Sequence, residues 1–306
     1  MRSGSTLEKV LKAGAFAVTA ELGPPKGADA QVIIDKANIL KGHADAVNIT
    51  DNQTAIARMC SMAAARLVID QGLEPIMQMT CRDRNRLAIQ ADILGAAALG
   101  VKNLLCLTGD HQSFGNHPQS KGVFDLDSIT LINMVKDMRD VPAFQCGEEI
   151  TMAPELFIGA AANPYADPFP FRAIRLAKKV DAGIDFVQTQ IIYNVEKFEE
   201  FMAQCRELGV SERCHILAGV APLKSAGMAR YMKKRVAGMD VPDQVVERLS
   251  SATDAQDEGI DVCVEVIERV REVEGVAGVH IMAVEWEESI PEIMKRAGLK
   301  PGSASL

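Results

Sequence analysis

The sequence lacks the patterns that mark membrane, secreted and disulfide-rich proteins. No apolar run reaches the roughly 18 residues that a membrane-spanning helix needs. The N-terminal residues contain no signal-peptide core. The seven cysteines include no C-x-x-C pair, which indicates reduced, mostly structural thiols. Together these absences predict a cytoplasmic protein.

Further absences limit the chemistry. No set of His, Cys and carboxylate residues has metal-ligand or iron–sulfur spacing, so we expect no bound metal. A net charge of −8 argues against nucleic-acid binding, which needs clustered Lys and Arg, but it does not exclude a local site for a small anion. Neither G-x-G-x-x-G after the first strand nor G-x-x-x-x-G-K-[ST] occurs, so any nucleotide-like cofactor must be held differently.

Short apolar runs alternate with helical patterns along the whole chain. The predicted strands cover residues 16–22, 45–50, 74–80, 101–107, 156–163, 186–193, 214–221 and 279–285. Strands that alternate with helices indicate parallel βαβ units, and eight such units predict one α/β domain, a single (β/α)8 TIM-type barrel over residues 1–306. An open doubly wound sheet is the alternative. Residues 301–306 are expected to form a short loose tail.

Polar residues stand at the carboxyl ends of most predicted strands. In a barrel these ends meet on one face, where such proteins place their active sites. The residues at these positions are Glu21, Thr50, Thr80, Asp110, Asn163, Gln190 and Glu285. Three of them are carboxylates that we expect on a buried rim.

Three of these residues suggest specific chemistry. Glu21 lies between apolar residues, where its acid form is favoured and can donate a proton; the alternative is an ion pair with Lys26. Asp110 follows a buried strand and the flexible Gly109, although it could simply cap a turn. Gln190 could offer both ends of its amide to a heterocycle, or it could be satisfied within the barrel.

The histidines suggest less. His111, beside Asp110, could be a general acid, but a loop residue is the preferred interpretation. His215 and His280 are expected to begin strands at the far end of the barrel and to be structural.

Five short motifs occur in order along the predicted barrel, and their order and spacing resemble the methylenetetrahydrofolate reductase family from about residue 16 to residue 299. The motifs are Glu21-Leu-Gly-Pro-Pro, Met79-Thr-Cys, Leu107-Thr-Gly-Asp, Val180-Asp-Ala-Gly with Thr189-Gln, and Gly219-Val-Ala-Pro. The resemblance implies a flavin-containing barrel that reduces 5,10-methylenetetrahydrofolate to 5-methyltetrahydrofolate. Its cofactor would be FAD, with FMN as the alternative.

The resemblance also implies roles for individual residues. Glu21 matches the catalytic acid, Asp110 the carboxylate near the flavin ring and pterin, and Gln190 a folate-binding glutamine. The positions that match flavin contacts are Thr50, Gln78, Leu107, Thr108, Gly109, Asp110, Phe124, Asn163, Lys178 and Lys179. The two lysines would suit the phosphates of the cofactor.

Some positions depart from the common family pattern. Thr108 replaces an Arg, Gln78 a His, Asn163 an aromatic residue and Trp286 an Arg. These changes resemble the branch from anaerobes that use the folate one-carbon pathway, whose reductase often works with a partner subunit. The electron donor is therefore NADH or a partner subunit, and an oligomer is expected. The alternative function is a non-redox pterin-binding barrel, such as a methyltransferase partner or scaffold.

Overall fold

The computed structural model describes residues 1–305, and these form a closed barrel of eight parallel strands in the order β1 to β8. This confirms the predicted (β/α)8 fold. The strands are β1 Ala17–Leu22, β2 Ala46–Ile49, β3 Pro75–Thr80, β4 Asn103–Leu107, β5 Phe157–Ala162, β6 Phe186–Ile191, β7 His215–Val220 and β8 Val276–Ile281. Because β1 pairs with β8 as well as with β2, no strand edge is left open.

Helices surround the barrel and cover the outward faces of the strands. Their bounds are α1 Thr6–Lys12, α2 Ala30–Leu40, α3 Ser61–Asp70, α4 Arg86–Ala98, α5 Ser128–Asp140, α6 Phe171–Ala182, α7 Val195–Glu207, α8 Ala226–Arg235, α9 Asp243–Ser251, α10 Ala255–Arg271 and α11 Ile290–Arg296. None of the helices in residues 1–305 is long and apolar enough to cross a membrane. All seven cysteines are free, and five of them are buried, as expected of structural thiols.

The half of the barrel interior nearer the amino ends of the strands, here called the lower half, is apolar. Side chains of a strand alternate between its two faces, so every second residue points inward. The rings of Phe157 and Phe186 stack here with their centroids 5.2 Å apart. A Cβ on Gly159 would come within 2.3 Å of the Phe186 ring, so this position requires glycine. The apolar face of α1 packs against the same cluster and closes the lower end of the barrel.

A layer of buried polar side chains lies above this apolar floor. Asn48 and Gln188 form two amide hydrogen bonds with each other, at 2.6 and 3.1 Å. His280 Nδ1 lies 3.0 Å from the Thr19 hydroxyl, and its Nε2 lies 3.3 Å from the Asn48 amide nitrogen. Burial lowers the pKa of His280 to about 3, so the ring is neutral at pH 7. This hydrogen-bonded polar layer forms the bottom of the space at the carboxyl ends of the strands.

One sequence prediction is wrong at the C-terminal end of the chain. Strand β8 begins at Val276 rather than at residue 279, so His280 lies near its carboxyl end and not at the far end of the barrel. In the segment expected to be a loose tail, the amide groups of Gly302 and Ser303 donate to the Asp45 carboxylate at 2.9 and 2.8 Å. Leu306 lies outside the described residues.

Candidate active site

A cavity of about 410 Å³ lies at the carboxyl ends of the strands, above the polar layer. This volume is within the range of small-molecule sites. Residues from β1 to β6 and from β8 line it, so the barrel brings together side chains that are far apart in sequence. Among residues 1–305, no three His, Cys, Asp or Glu side chains form a group that could hold a metal ion.

Glu21 lies in the wall of this cavity, as its position near the end of β1 predicts. Burial raises the pKa of its carboxyl to about 7, and the nearby Glu287 raises the pKa further, whereas Lys36 lowers it. Lys26 is exposed and makes no ion pair with Glu21. A carboxyl with this pKa is partly protonated at pH 7 and can act as a general acid.

The other two carboxylates predicted on a buried rim are exposed. Asp110 lines the cavity mouth beyond the end of β4, and its backbone carbonyl accepts a hydrogen bond from Arg82 at 3.1 Å. Glu285 lies in the loop after β8, outside this cavity, because the strand ends at Ile281. Of the three carboxylates that the sequence suggested, Glu21 alone is withdrawn from solvent, and it is partly buried.

Asp51, just after β2, is a buried carboxylate of the cavity wall that the sequence analysis did not identify. It accepts hydrogen bonds from the backbone amide and the hydroxyl of Thr80, both at 2.9 Å. Its two oxygens also accept from Arg84, at 2.8 and 3.2 Å. These contacts tie the loop after β2 to the end of β3, so Asp51 fixes the shape of the cavity.

The turn after β4 approaches its neighbours closely. Gly109 has a φ of +90°, and a Cβ at this position would lie 3.1 Å from the Cβ atoms of Thr80 and Arg82. The Thr108 hydroxyl accepts a hydrogen bond from the backbone of Ser128 at 3.1 Å, which joins the turn to the start of α5. Leu107, Thr108 and Gly109, which the resemblance matches to flavin contacts, all line the cavity.

One side of the cavity is cationic, although the whole chain is acidic. Its positive residues are Arg82, Arg172, Arg175 and Lys179. The ammonium group of Lys179 donates to the Ala161 carbonyl at 2.6 Å, and burial lowers its pKa to about 8, with a smaller contribution from Arg175. At pH 7 this side of the cavity is therefore suited to an anionic ligand.

The sequence analysis missed the three arginines, although a helical pattern in the sequence points to two of them. Arg172, Arg175 and Lys179 follow the i, i+3, i+7 spacing of one helical face on α6. Lys178 lies off this face: it is exposed, outside the cavity, with its ammonium group 5.6 Å from the centroid of the Phe171 ring. The two adjacent lysines, which the resemblance treats alike, are therefore separated by the structure.

The remaining predicted contact positions fall into two groups. Gln78, Asn163 and Gln190 line the cavity, and Gln190 accepts a hydrogen bond from the amide of Ile191 at 2.9 Å. Thr50 and Phe124 do not line it. Thr50 is buried with no hydrogen-bond partner for its hydroxyl within the described residues.

Phe124 is partly exposed at the outer loop. Its ring is nearly parallel to that of His111, with their centroids 6.4 Å apart. His111 lies in the same loop, outside the cavity, in line with its interpretation as a loop residue.

Known proteins resemble this chain over most of its length. A probable methylenetetrahydrofolate reductase (NADPH) from Caenorhabditis elegans is 25% identical over 247 residues, which are 78% of this chain and 34% of the relative. The 5,10-methylenetetrahydrofolate reductase of Salmonella typhimurium is 23% identical over 243 residues, 76% of this chain and 72% of the relative. The chain spans about a third of the length of the first curated relatives.

A solved structure shows the same fold. It is an uncharacterized protein from Clostridium thermocellum that binds two copies of 5-methyl-5,6,7,8-tetrahydrofolic acid. The TM-score is 0.68 at 14% identity, and the match covers 96% of this chain and 99% of the other.

The family assignment rests on the whole barrel. Residues 6–298 match the family described as methylenetetrahydrofolate reductase. This range contains all eight strands and every residue that lines the cavity. The chain belongs to the methylenetetrahydrofolate reductase family.

Proposed function

We propose that the chain reduces 5,10-methylenetetrahydrofolate to 5-methyltetrahydrofolate with a flavin, FAD, bound in the cavity. The observation that carries the proposal is the Glu21 carboxyl, whose pKa is raised to about 7 in the wall of a cavity of ligand size. Family membership and the names of the relatives support the substrate. The folate bound by the Clostridium thermocellum protein, which has the same fold, supports a pterin in such a barrel.

The cavity residues fit a flavin nucleotide. The cationic side formed by Arg82, Arg172, Arg175 and Lys179 would hold its phosphates. The absence of a side chain at Gly109 lets a flat ring approach the backbone closely. A bound flavin would supply the electron pair for the reduction, which no side chain in this cavity can supply.

The chain itself would move one proton and stabilise one charge. Glu21 would protonate the nitrogen that leaves the methylene bridge, so that the five-membered ring opens to a 5-iminium cation. The carboxylate of Asp110, at the mouth of the same cavity, would stabilise this positive charge. Gln190 would orient the pterin, since an amide can donate and accept hydrogen bonds in one plane.

The absorption spectrum of the purified protein tests the cofactor. We expect flavin bands, either directly or after incubation with FAD, and a second titration with FMN compares the two cofactors. A colourless protein that takes up neither flavin but binds 5-methyltetrahydrofolate would contradict the proposal. That result would favour a non-redox pterin-binding barrel.

Substituting the two adjacent lysines tests which of them holds the cofactor. Lys179→Met removes a buried cation from the cavity wall, and we expect it to weaken FAD binding by about tenfold or more, the value of one charged hydrogen bond. Lys178→Met removes the same charge from an exposed position outside the cavity and should leave the affinity unchanged. Equal losses in both variants, measured by flavin fluorescence titration, would contradict this assignment.

We further propose that a partner protein delivers electrons to the flavin. The support is the resemblance to the anaerobic branch and the changed positions beside the cavity, Gln78, Thr108 and Asn163. Anaerobic mixing of the flavin-loaded chain with NADH and with NADPH is the test. We expect slow bleaching with both nucleotides and rapid bleaching with reduced viologen. Rapid bleaching by either nucleotide, at the rate of folate turnover, would contradict the partner proposal.

A further inference from the structure

A second cavity lies beside the candidate active site, and Glu21 lines both. This side cavity has a volume of about 330 Å³. Its wall is formed by the segment from Gly23 to Pro25, by one face of α2 and by the loop after β8. The charged residues that share it with Glu21 are Lys36, Arg58, Glu285 and Glu287.

Two of these residues form a largely buried ion pair. The ammonium group of Lys36 lies 2.5 Å from a carboxylate oxygen of Glu287, and the side chains are 22% and 5% exposed. Lys36 lies on α2 and Glu287 in a short turn after β8, so the pair joins two elements that flank β1. Burying two charges costs free energy that their attraction offsets only in part, so stability alone is a weak reason for such a pair.

The two charges act on Glu21 in opposite directions. Glu287 raises the pKa of the Glu21 carboxyl, and Lys36 lowers it. The charged groups on the other side of Glu21, across the main cavity, are Asp51, Arg82, Asp110, Arg172, Arg175 and Lys179. His280, below it, is neutral. Among all these charged groups, Glu287 and Lys36 are the ones that shift the pKa of Glu21.

We propose that Lys36 and Glu287 are positioning residues that act from the side cavity to set the proton affinity of Glu21. The inference rests on the proposed function, in which Glu21 is the acid. Glu287 keeps the proton on Glu21 at neutral pH, and Lys36 limits how strongly it is held. Neither residue of the pair lines the main cavity, so the pair works through Glu21, which lines both cavities.

The test compares the wild type, one single variant and one double variant as a function of pH. Folate reduction by the flavin-loaded full chain is measured from pH 5 to 9, where loss of rate at high pH follows deprotonation of Glu21. Glu287→Gln keeps the shape of the side chain but removes its charge, and we expect the loss to begin about one pH unit lower. In Glu287→Gln with Lys36→Met the opposing charge is also absent, so the profile should return toward that of the wild type.

One control variant and the form of the pH profile separate this role from a structural one. Glu288→Gln changes the adjacent exposed carboxylate and should leave the profile in place. A purely structural pair would lower the rate at every pH, and the double variant would be no better than the single one. That pattern, or an unmoved profile in Glu287→Gln, would overturn the proposal.

A second readout does not depend on folate turnover. The Glu21 carboxyl can be titrated by 13C NMR in the full chain, with Glu21→Gln used to assign its signal. The same shifts are expected in Glu287→Gln and in the double variant. If the wild type reduces no folate, the proposed function fails, but this titration still decides whether the pair acts on Glu21.

Discussion

Replacing Glu21 by glutamine should slow folate reduction by about 10²–10⁴-fold, the usual contribution of a general acid, while the flavin stays bound. Glutamine has nearly the same shape as glutamate but carries no transferable proton. The loss should therefore appear in the chemical step and not in the affinity for FAD. Single-turnover mixing of the reduced, flavin-loaded chain with 5,10-methylenetetrahydrofolate measures this step directly.

The pH dependence of the wild-type rate tests the same role of Glu21. Because the pKa of Glu21 is raised to about 7, its active acid form predominates below pH 7 and is lost as the pH rises above it. Glu288→Gln is the matched control, since this exposed carboxylate lines neither cavity. Full activity in Glu21→Gln, or an equal loss in Glu288→Gln, would remove Glu21 from the mechanism.

Asp51→Ala should lower the free energy of unfolding by about 3–5 kcal/mol, the cost of removing one partner from a buried ion pair. The Asp51 carboxylate has no exposed surface, and its partner Arg84 is 17% exposed. The substitution leaves both donors of Thr80 without their acceptor, and it removes two of the three carboxylate hydrogen bonds of Arg84, which keeps only the one to Asp92. Urea unfolding of the wild type and the variant, followed by circular dichroism, measures the difference.

An exposed ion pair supplies the control for this second prediction. Asp70 pairs with Arg66 on the surface of α3, where the two side chains are 47% and 43% exposed. Asp70→Ala should cost less than about 1 kcal/mol, because water screens the pair. Similar losses in the two variants would show that Asp51 does not hold the cavity wall in the way that its hydrogen bonds indicate.

The fold was predictable because the buried strands of a parallel barrel are short apolar runs bounded by turns. Seven predicted strands overlap the observed ones to within one or two residues at each end. The last strand was misplaced because residues 276–284 are apolar or small apart from His280, and they carry no signal for where pairing begins or ends. That error placed Glu285 on the rim and His280 at the wrong end of its strand.

The candidate site was only partly predictable, because much of it comes from loops and helix faces. Glu21 and Gln190 lie on strands, where period-two alternation decides which residues face the interior. Asp51 and Arg82 lie in loops, and their place in the cavity depends on tertiary contacts that no local pattern encodes. The choice between Lys178 and Lys179 depends on a rotation of about 100° around the helix axis.

We propose that a flavin in this cavity reduces the methylene bridge of the folate, with Glu21 as the proton donor. The most direct test is anaerobic mixing of the chemically reduced, FAD-loaded chain with 5,10-methylenetetrahydrofolate, with the products separated by chromatography. We expect the flavin to be reoxidised and one 5-methyltetrahydrofolate to form per flavin, at a rate that falls as the pH rises through about 7. A reduced flavin that persists in the presence of the folate, with no methyl product formed, would contradict it.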